Sequence, residues 1–88
     1  MELDKHTVLE NGQPISLTVK EYDLLAYFAA NPDSVLSRTD ILNKVWGYDY
    51  FGTDRVVDDT IRRLRRKLPR LAIDTVYGLG YRLNKEGL

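Results

Sequence analysis

Eighty-eight residues suffice for one domain with a modest core and are too few for two, and the apolar (43%) and charged (30%) fractions are ordinary for a globular protein. Thirteen basic and 13 acidic residues leave no formal net charge, while the absence of cysteine and the single histidine, His6, exclude disulfides, zinc–thiolate sites and most two-histidine metal centres. No apolar run approaches the roughly 20 residues that span a bilayer and no signal-peptide pattern opens the chain, so we expect a cytoplasmic protein without membrane contact, metal or cofactor.

Residues 3–9 and 15–17 flank Asn11-Gly12, a tight-turn dipeptide, which predicts short antiparallel strands, with room for a third at the extreme N-terminus. Thr18-Val19-Lys20-Glu21 fits a capping box. The helix it opens, over about 19–30, places Val19, Leu24, Leu25, Phe28 and Ala29 on or near one face and stops at Asn31-Pro32. A short strand is expected at 34–36. Ser37-Arg38-Thr39-Asp40 is a second cap signal, leading into a short helix with Ile41, Leu42, Val45 and Trp46 apolar and Gly47 at its end. "GYDYFGTD", 47–54, is a turn-rich aromatic loop. A third helix covers about 55–68 and is closed by Pro69. Residues 73–76, a turn at Gly78-Leu79-Gly80 and a return through Tyr81, Arg82 and Leu83 complete a hairpin.

Charge is distributed unevenly over these elements. Residues 1–61 carry five Lys/Arg against eleven Asp/Glu, and residues 62–88 carry eight against two. "IRRLRRKL", 61–68, holds five cations in eight positions. At about 100° per residue, with Val57 at zero, Ile61, Leu64 and Leu68 fall at about 40°, 340° and 20°, a narrow core stripe. Arg55, Arg62, Arg63 and Arg66 stand opposite it, and Arg65 and Lys67 lie on the flanks. Asp59, among the outward arginines, has i,i+4 spacing for an ion pair with Arg63. Complementing the helix macrodipole needs one or two cations at the C-terminus. Five repel one another, which favours a polyanion-binding surface. A helix bearing an arginine face, followed by a Gly-rich hairpin ending in Arg82, fits a two-element DNA reader: helix in the major groove, hairpin near backbone or minor groove.

Three separated segments, "ISLTVKEYDLLAYFAANPDSVLSRTDILNKVWG", "DRVVDDTIRRLRRKL" and "IDTVYGLGYRL", resemble the DNA-binding effector domain of OmpR/PhoB-type response regulators, and the resemblance runs from about residue 2 to 83. It implies a single α+β domain over 1–88, a winged helix-turn-helix with an N-terminal antiparallel sheet, three helices and a C-terminal β-hairpin wing. It also implies sequence-specific binding of double-stranded DNA in transcription regulation, as the output of a two-component system. The recognition helix would be 55–68 and the wing 73–83. The receiver domain that full-length members carry is absent, so an excised effector domain is the expectation.

Carried over by position, Arg62, Arg63 and Arg66 resemble base and phosphate contacts, Arg55 a phosphate contact and Arg82 the wing arginine. Lys67 and Arg65 are flanking phosphate neighbours. Asp59 and Tyr77 depart from the family pattern. Asp59 either accepts from cytosine N4 or orients Arg63, and orientation is the preferred role. Tyr77 either bonds a phosphate or packs. The family also implies head-to-tail copies on direct-repeat half-sites and a loop that touches RNA polymerase, here Tyr48, Asp49, Tyr50 and Phe51. Packing near Trp46 is the competing expectation for each of those aromatics. A winged-helix protein-interaction module is the alternative function. Enzyme activity is not expected, because the adjacent carboxylates Asp58 and Asp59 diverge by about 100° on a helix.

Overall fold

Asn11 and Gly12 both adopt positive φ, 58° and 81°. That geometry matches the twist of a two-residue hairpin, and it joins β1 (Lys5–Glu10) to β2 (Gln13–Thr18) in antiparallel register with Glu10 opposite Gln13. The computed structural model describes residues 5–84, so the suggested N-terminal third strand lies outside the described residues.

The capping box opens α1 (Val19–Ala30) as its sequence predicts. The Thr18 hydroxyl accepts from the Glu21 amide at 3.2 Å and the Glu21 carboxylate accepts from the Thr18 amide at 3.0 Å. The buried face of α1 is narrower than the apolar pattern predicts. Leu24 and Phe28 are buried, Val19 and Leu25 are half-buried and Ala29 is exposed, while the charged Glu21 is buried in their row. After β3 (Val35–Leu36), the Ser37 hydroxyl caps α2 (Arg38–Ile41) by accepting from the Asp40 amide. The helix then widens into a π-helical turn, Leu42–Trp46, which Gly47 ends at φ 103°. Lys20 donates to the Val45 carbonyl at 2.9 Å and so fastens this turn to the start of α1.

The third helix, α3 (Arg55–Lys67), buries Val57, Ile61 and Leu64 as the wheel requires, with Leu68 just beyond it also buried. Thr60 joins that stripe, its hydroxyl donating to the Val56 carbonyl at 2.8 Å. The last two strands, β4 (Ile73–Val76) and β5 (Gly80–Leu83), pair antiparallel, and β5 also pairs with β3, giving the order β3-β5-β4. The core lies between the helices and the inner faces of the two sheets, centred on Leu17, Leu24, Phe28, Ile41, Ile61 and Leu83. An N-terminal antiparallel sheet, three helices and a C-terminal hairpin make up the expected α+β winged helix-turn-helix.

Candidate nucleic-acid interface

Because Val57, Ile61 and Leu64 fix the rotation of α3 about its axis, Arg55, Arg62, Arg63 and Arg66 are all exposed on the opposite side. They share one helix face, and among them only Arg62 makes an ion pair within 4 Å among the described residues, while Arg55 and Arg63 act on Asp58 and Glu21 from farther away. The partner of Arg62 is Asp59, at 3.4 Å and i,i+3 spacing. The expected Asp59–Arg63 pair is therefore replaced by Asp59–Arg62. Both groups are more than half exposed, so the pair contributes little to stability. Its consequence is orientational, since it holds one arginine of the four while Arg63 and Arg66 make no such ion pair.

The two flanking cations face inward. The Arg65 guanidinium donates to the Ile73 carbonyl at 2.6 Å and the Thr75 hydroxyl at 2.9 Å, which ties α3 to β4. The Lys67 ammonium donates to the Glu21 carboxylate at 2.6 Å and the Ser16 carbonyl at 3.1 Å, which ties the end of α3 to β2 and α1. Of the five cations in "IRRLRRKL", Arg62, Arg63 and Arg66 are exposed and Arg65 and Lys67 are half-buried. Lys67 lies only about 40° round the helix from Arg63, but its ammonium is taken up by Glu21 and Ser16.

Asp58 organises the other end of α3. Its Oδ1 accepts from the Arg38 guanidinium at 2.8 Å and from the Tyr81 hydroxyl at 2.5 Å, linking α2, α3 and β5. The Tyr81 ring also lies within cation–π distance of Arg38 and Arg65, at 5.9 and 5.7 Å. Sequence reasoning missed this junction. Residues 38, 58 and 81 are far apart in the chain, and no local periodicity connects them.

In the wing, Arg82 pairs with Asp74 directly across the β4–β5 ladder at 3.1 Å, on the face opposite Tyr81. The hairpin tip carries no cation. It presents Tyr77 and Leu79, both largely exposed, so Tyr77 does not pack on the core. In the loop before α3, Tyr48 and Phe51 are also exposed, against the expectation that they pack beside Trp46. Tyr50 alone leans on that ring, with centroids 6.3 Å apart, and Asp49 is exposed. Among the described residues no cluster of acidic or histidine side chains could hold a metal ion, and no helix is long and apolar enough to cross a membrane.

Burial pushes the Asp58 carboxyl up, but the Tyr81 hydroxyl and the Arg38 guanidinium outweigh it and hold the group below the ordinary carboxylate range. Glu21 behaves alike: burial raises it, and Lys67 with the Thr18 amide brings it down. Burial, reinforced by the Asp58 charge, pushes the Tyr81 phenol up. Both carboxyls thus bind protons less tightly folded than unfolded. Their contribution to stability is present above the ordinary carboxylate range of about 4 and is lost as pH falls through their lower folded values. The phenol contributes below its ordinary value of about 10, and that contribution is lost as pH rises through its higher folded value. Urea denaturation across the acid range is expected to show stability falling with pH, and Asp58→Asn to flatten that limb. A limb of unchanged slope in Asp58→Asn would deny the residue its part.

Comparison with known proteins agrees with this geometry. The family model described as "Transcriptional regulatory protein, C terminal" matches residues 12–83. The transcriptional regulatory protein CssR of Bacillus subtilis is 62% identical over 74 residues, covering 84% of this chain and 33% of that protein. VxrB of Vibrio cholerae is 45% identical over 85 residues, covering 94% of this chain and 35% of that protein. The chain thus spans about a third of the length of these curated relatives. Among solved structures, the DNA-binding domain of B. subtilis CssR superposes with a TM-score of 0.80 at 62% identity, covering 84% of each chain. The Klebsiella pneumoniae RstA DNA-binding domain in complex with the RstA box superposes with a TM-score of 0.77 at 32% identity, covering 89% of this chain and 82% of that one.

Proposed function

From the premise that this chain belongs to the family of transcriptional regulatory protein C-terminal domains, those of OmpR/PhoB-type response regulators, we propose that it binds double-stranded DNA in a sequence-dependent way and regulates transcription. That family is one of regulators and not of enzymes. The observation that carries the reading is the single exposed face of Arg55, Arg62, Arg63 and Arg66 on a helix whose other face is buried. A helix of this kind fits the major groove, about 12 Å wide, where arginine pairs bidentately with guanine O6 and N7. In this reading Arg63 and Arg66 read bases or phosphates, Arg62 joins them under the hold of Asp59, and Arg55 meets the backbone. The wing approaches the neighbouring groove with Arg82, while Tyr77 at its tip reaches a phosphate. Lys67 and Arg65 carry no contact.

The cellular setting that follows is the cytoplasm, with two copies head-to-tail on direct-repeat half-sites. The exposed Tyr48 and Phe51, with Asp49 and Tyr50, are the surface offered to a protein partner, for which the family resemblance suggests RNA polymerase. Exposed aromatic side chains make effective contact anchors.

Fluorescence anisotropy on a selected-site duplex and a random duplex, each over a salt series, tests the reading. Log K is expected to fall steeply with log salt on both, with a slope that counts the phosphates engaged, and binding to the selected site to be tighter. Arg63→Ala should cost about 1–3 kcal/mol on the selected site and relax the preference at one base position. Equal weakening on every duplex would move Arg63 from bases to phosphates. Flat, weak binding throughout would favour the protein-interaction module.

A further inference from the structure

We propose that Tyr81, through the bond from its hydroxyl to Asp58, is a positioning residue that fixes the wing against α3 so that both elements meet one DNA duplex in register. The inference rests on the DNA-binding reading above.

The two strands of the wing are anchored unequally along their length. At the base, Ile73 and Leu83 face each other and are buried in the core. Toward the tip the next inward-facing pair is Thr75 and Tyr81. Beyond it come Val76 opposite Gly80, which has no side chain, and then the exposed Tyr77, Gly78 and Leu79. Tyr81 and Thr75 are therefore the last inward anchors before the tip, and both are held by α3. Arg65 donates to Thr75, and Asp58 accepts from Tyr81.

A phenylalanine would fill the same 6%-exposed position without a polar group to satisfy. The hydroxyl adds direction instead of bulk. It reaches a carboxylate one turn from Arg55 and Arg62 on the reading helix, and that carboxylate is itself held by Arg38 of α2. Arg82 is the next residue along β5, on the opposite face, so any rotation of the strand about Tyr81 moves the wing arginine. In this way the bond links the position of Arg82 to the helix that carries Arg63 and Arg66.

Two measurements test this on the whole chain, with Tyr81→Phe shown by circular dichroism to be folded at the working temperature. On a selected-site duplex, Arg82→Ala is expected to lower affinity about tenfold in the native background and less than about twofold in the Tyr81→Phe background, the non-additivity of coupled sites. Without DNA, backbone order parameters at 77–80 should fall in Tyr81→Phe while those of α3 stay unchanged. Should Tyr81→Phe not fold, Asp58→Ala removes the acceptor of the same bond and takes its place. An equal Arg82→Ala loss in both backgrounds overturns the proposal, as do unchanged order parameters in the wing. Absence of salt-dependent duplex binding by the native chain would instead overturn the DNA-binding reading, and the order parameters would still decide whether the bond holds the wing.

Discussion

Lys67→Ala is expected to lower stability by about 3 kcal/mol, the low end of the loss found when one partner of a buried ion pair is removed. The low end applies because the Lys67 side chain is 34% exposed whereas Glu21 is only 1% exposed. Removing the ammonium leaves a carboxylate sealed in the core whose second oxygen, Oε2, already has no hydrogen-bond partner in the structure. The Thr18 amide remains as a donor to Oε1, and one neutral hydrogen bond does not compensate a full charge. For a domain of this size the melting midpoint should drop by roughly 12 °C or more. Adding Glu21→Gln should recover part of that loss, since an uncharged amide keeps the bond to Thr18. Where both proteins are folded, Lys67→Ala should change duplex affinity less than about twofold. A large affinity loss with little change in melting would return Lys67 to the arginine face.

Gly80→Ala should be at least as damaging, for a reason that lies in the backbone. Gly80 has φ +149°, and a methyl group added there would stand 2.1 Å from the Leu36 carbonyl oxygen and 2.8 Å from the Ser37 Cα. Those atoms belong to β3 and the cap of α2. They cannot withdraw without breaking the β3–β5 pairing of Leu36 with Tyr81. Conformational strain and overpacking together should cost about 3 kcal/mol or more. Gly78→Ala is the control: its φ is +80° but nothing lies within 4 Å, so only the local strain of about 1 kcal/mol is expected. Comparable melting of the two variants would mean that β3 yields to the added methyl.

Elements set by local chemistry were legible in the sequence. The Asn11-Gly12 turn, the Thr18–Glu21 box, the Ser37 cap and the stripe of Val57, Ile61 and Leu64 all depend on neighbours within a few residues, and each formed as its pattern predicts. The outward direction of Arg55, Arg62, Arg63 and Arg66 followed from that stripe alone. Flanking positions were less legible, because an angle on a wheel does not say which element packs there. Lys67 met the buried Glu21 contributed by α1, and Arg65 met the Ile73 carbonyl of β4. Similarly, Asp59 has both i+3 and i+4 arginines within reach, and side-chain rotamers, invisible to spacing, decided for Arg62. The loop aromatics failed for the opposite reason: the hydrophobicity of Phe51 argued for packing, but only Tyr50 of the loop makes a ring contact with Trp46 and Phe51 stays fully exposed.

The position of β5 in its sheet has a bearing on synthesis. The ribosome makes this strand after every other element described, yet it is the central strand of its sheet, paired with Val35 and Leu36 on one side and with β4 on the other. The Leu83 carbonyl also accepts from the Asp33 amide at 2.8 Å, so the link between α1 and β3 waits for the same segment. A nascent chain that has reached only the hairpin tip has its arginine helix but neither Tyr81 nor the strand that joins β3 to β4. Contacts so distant in sequence form late, after the local helices. The helix with the highest positive charge is thus translated well before the partner that aligns it, and cooperative closure of the domain awaits the emergence of residues 80–83.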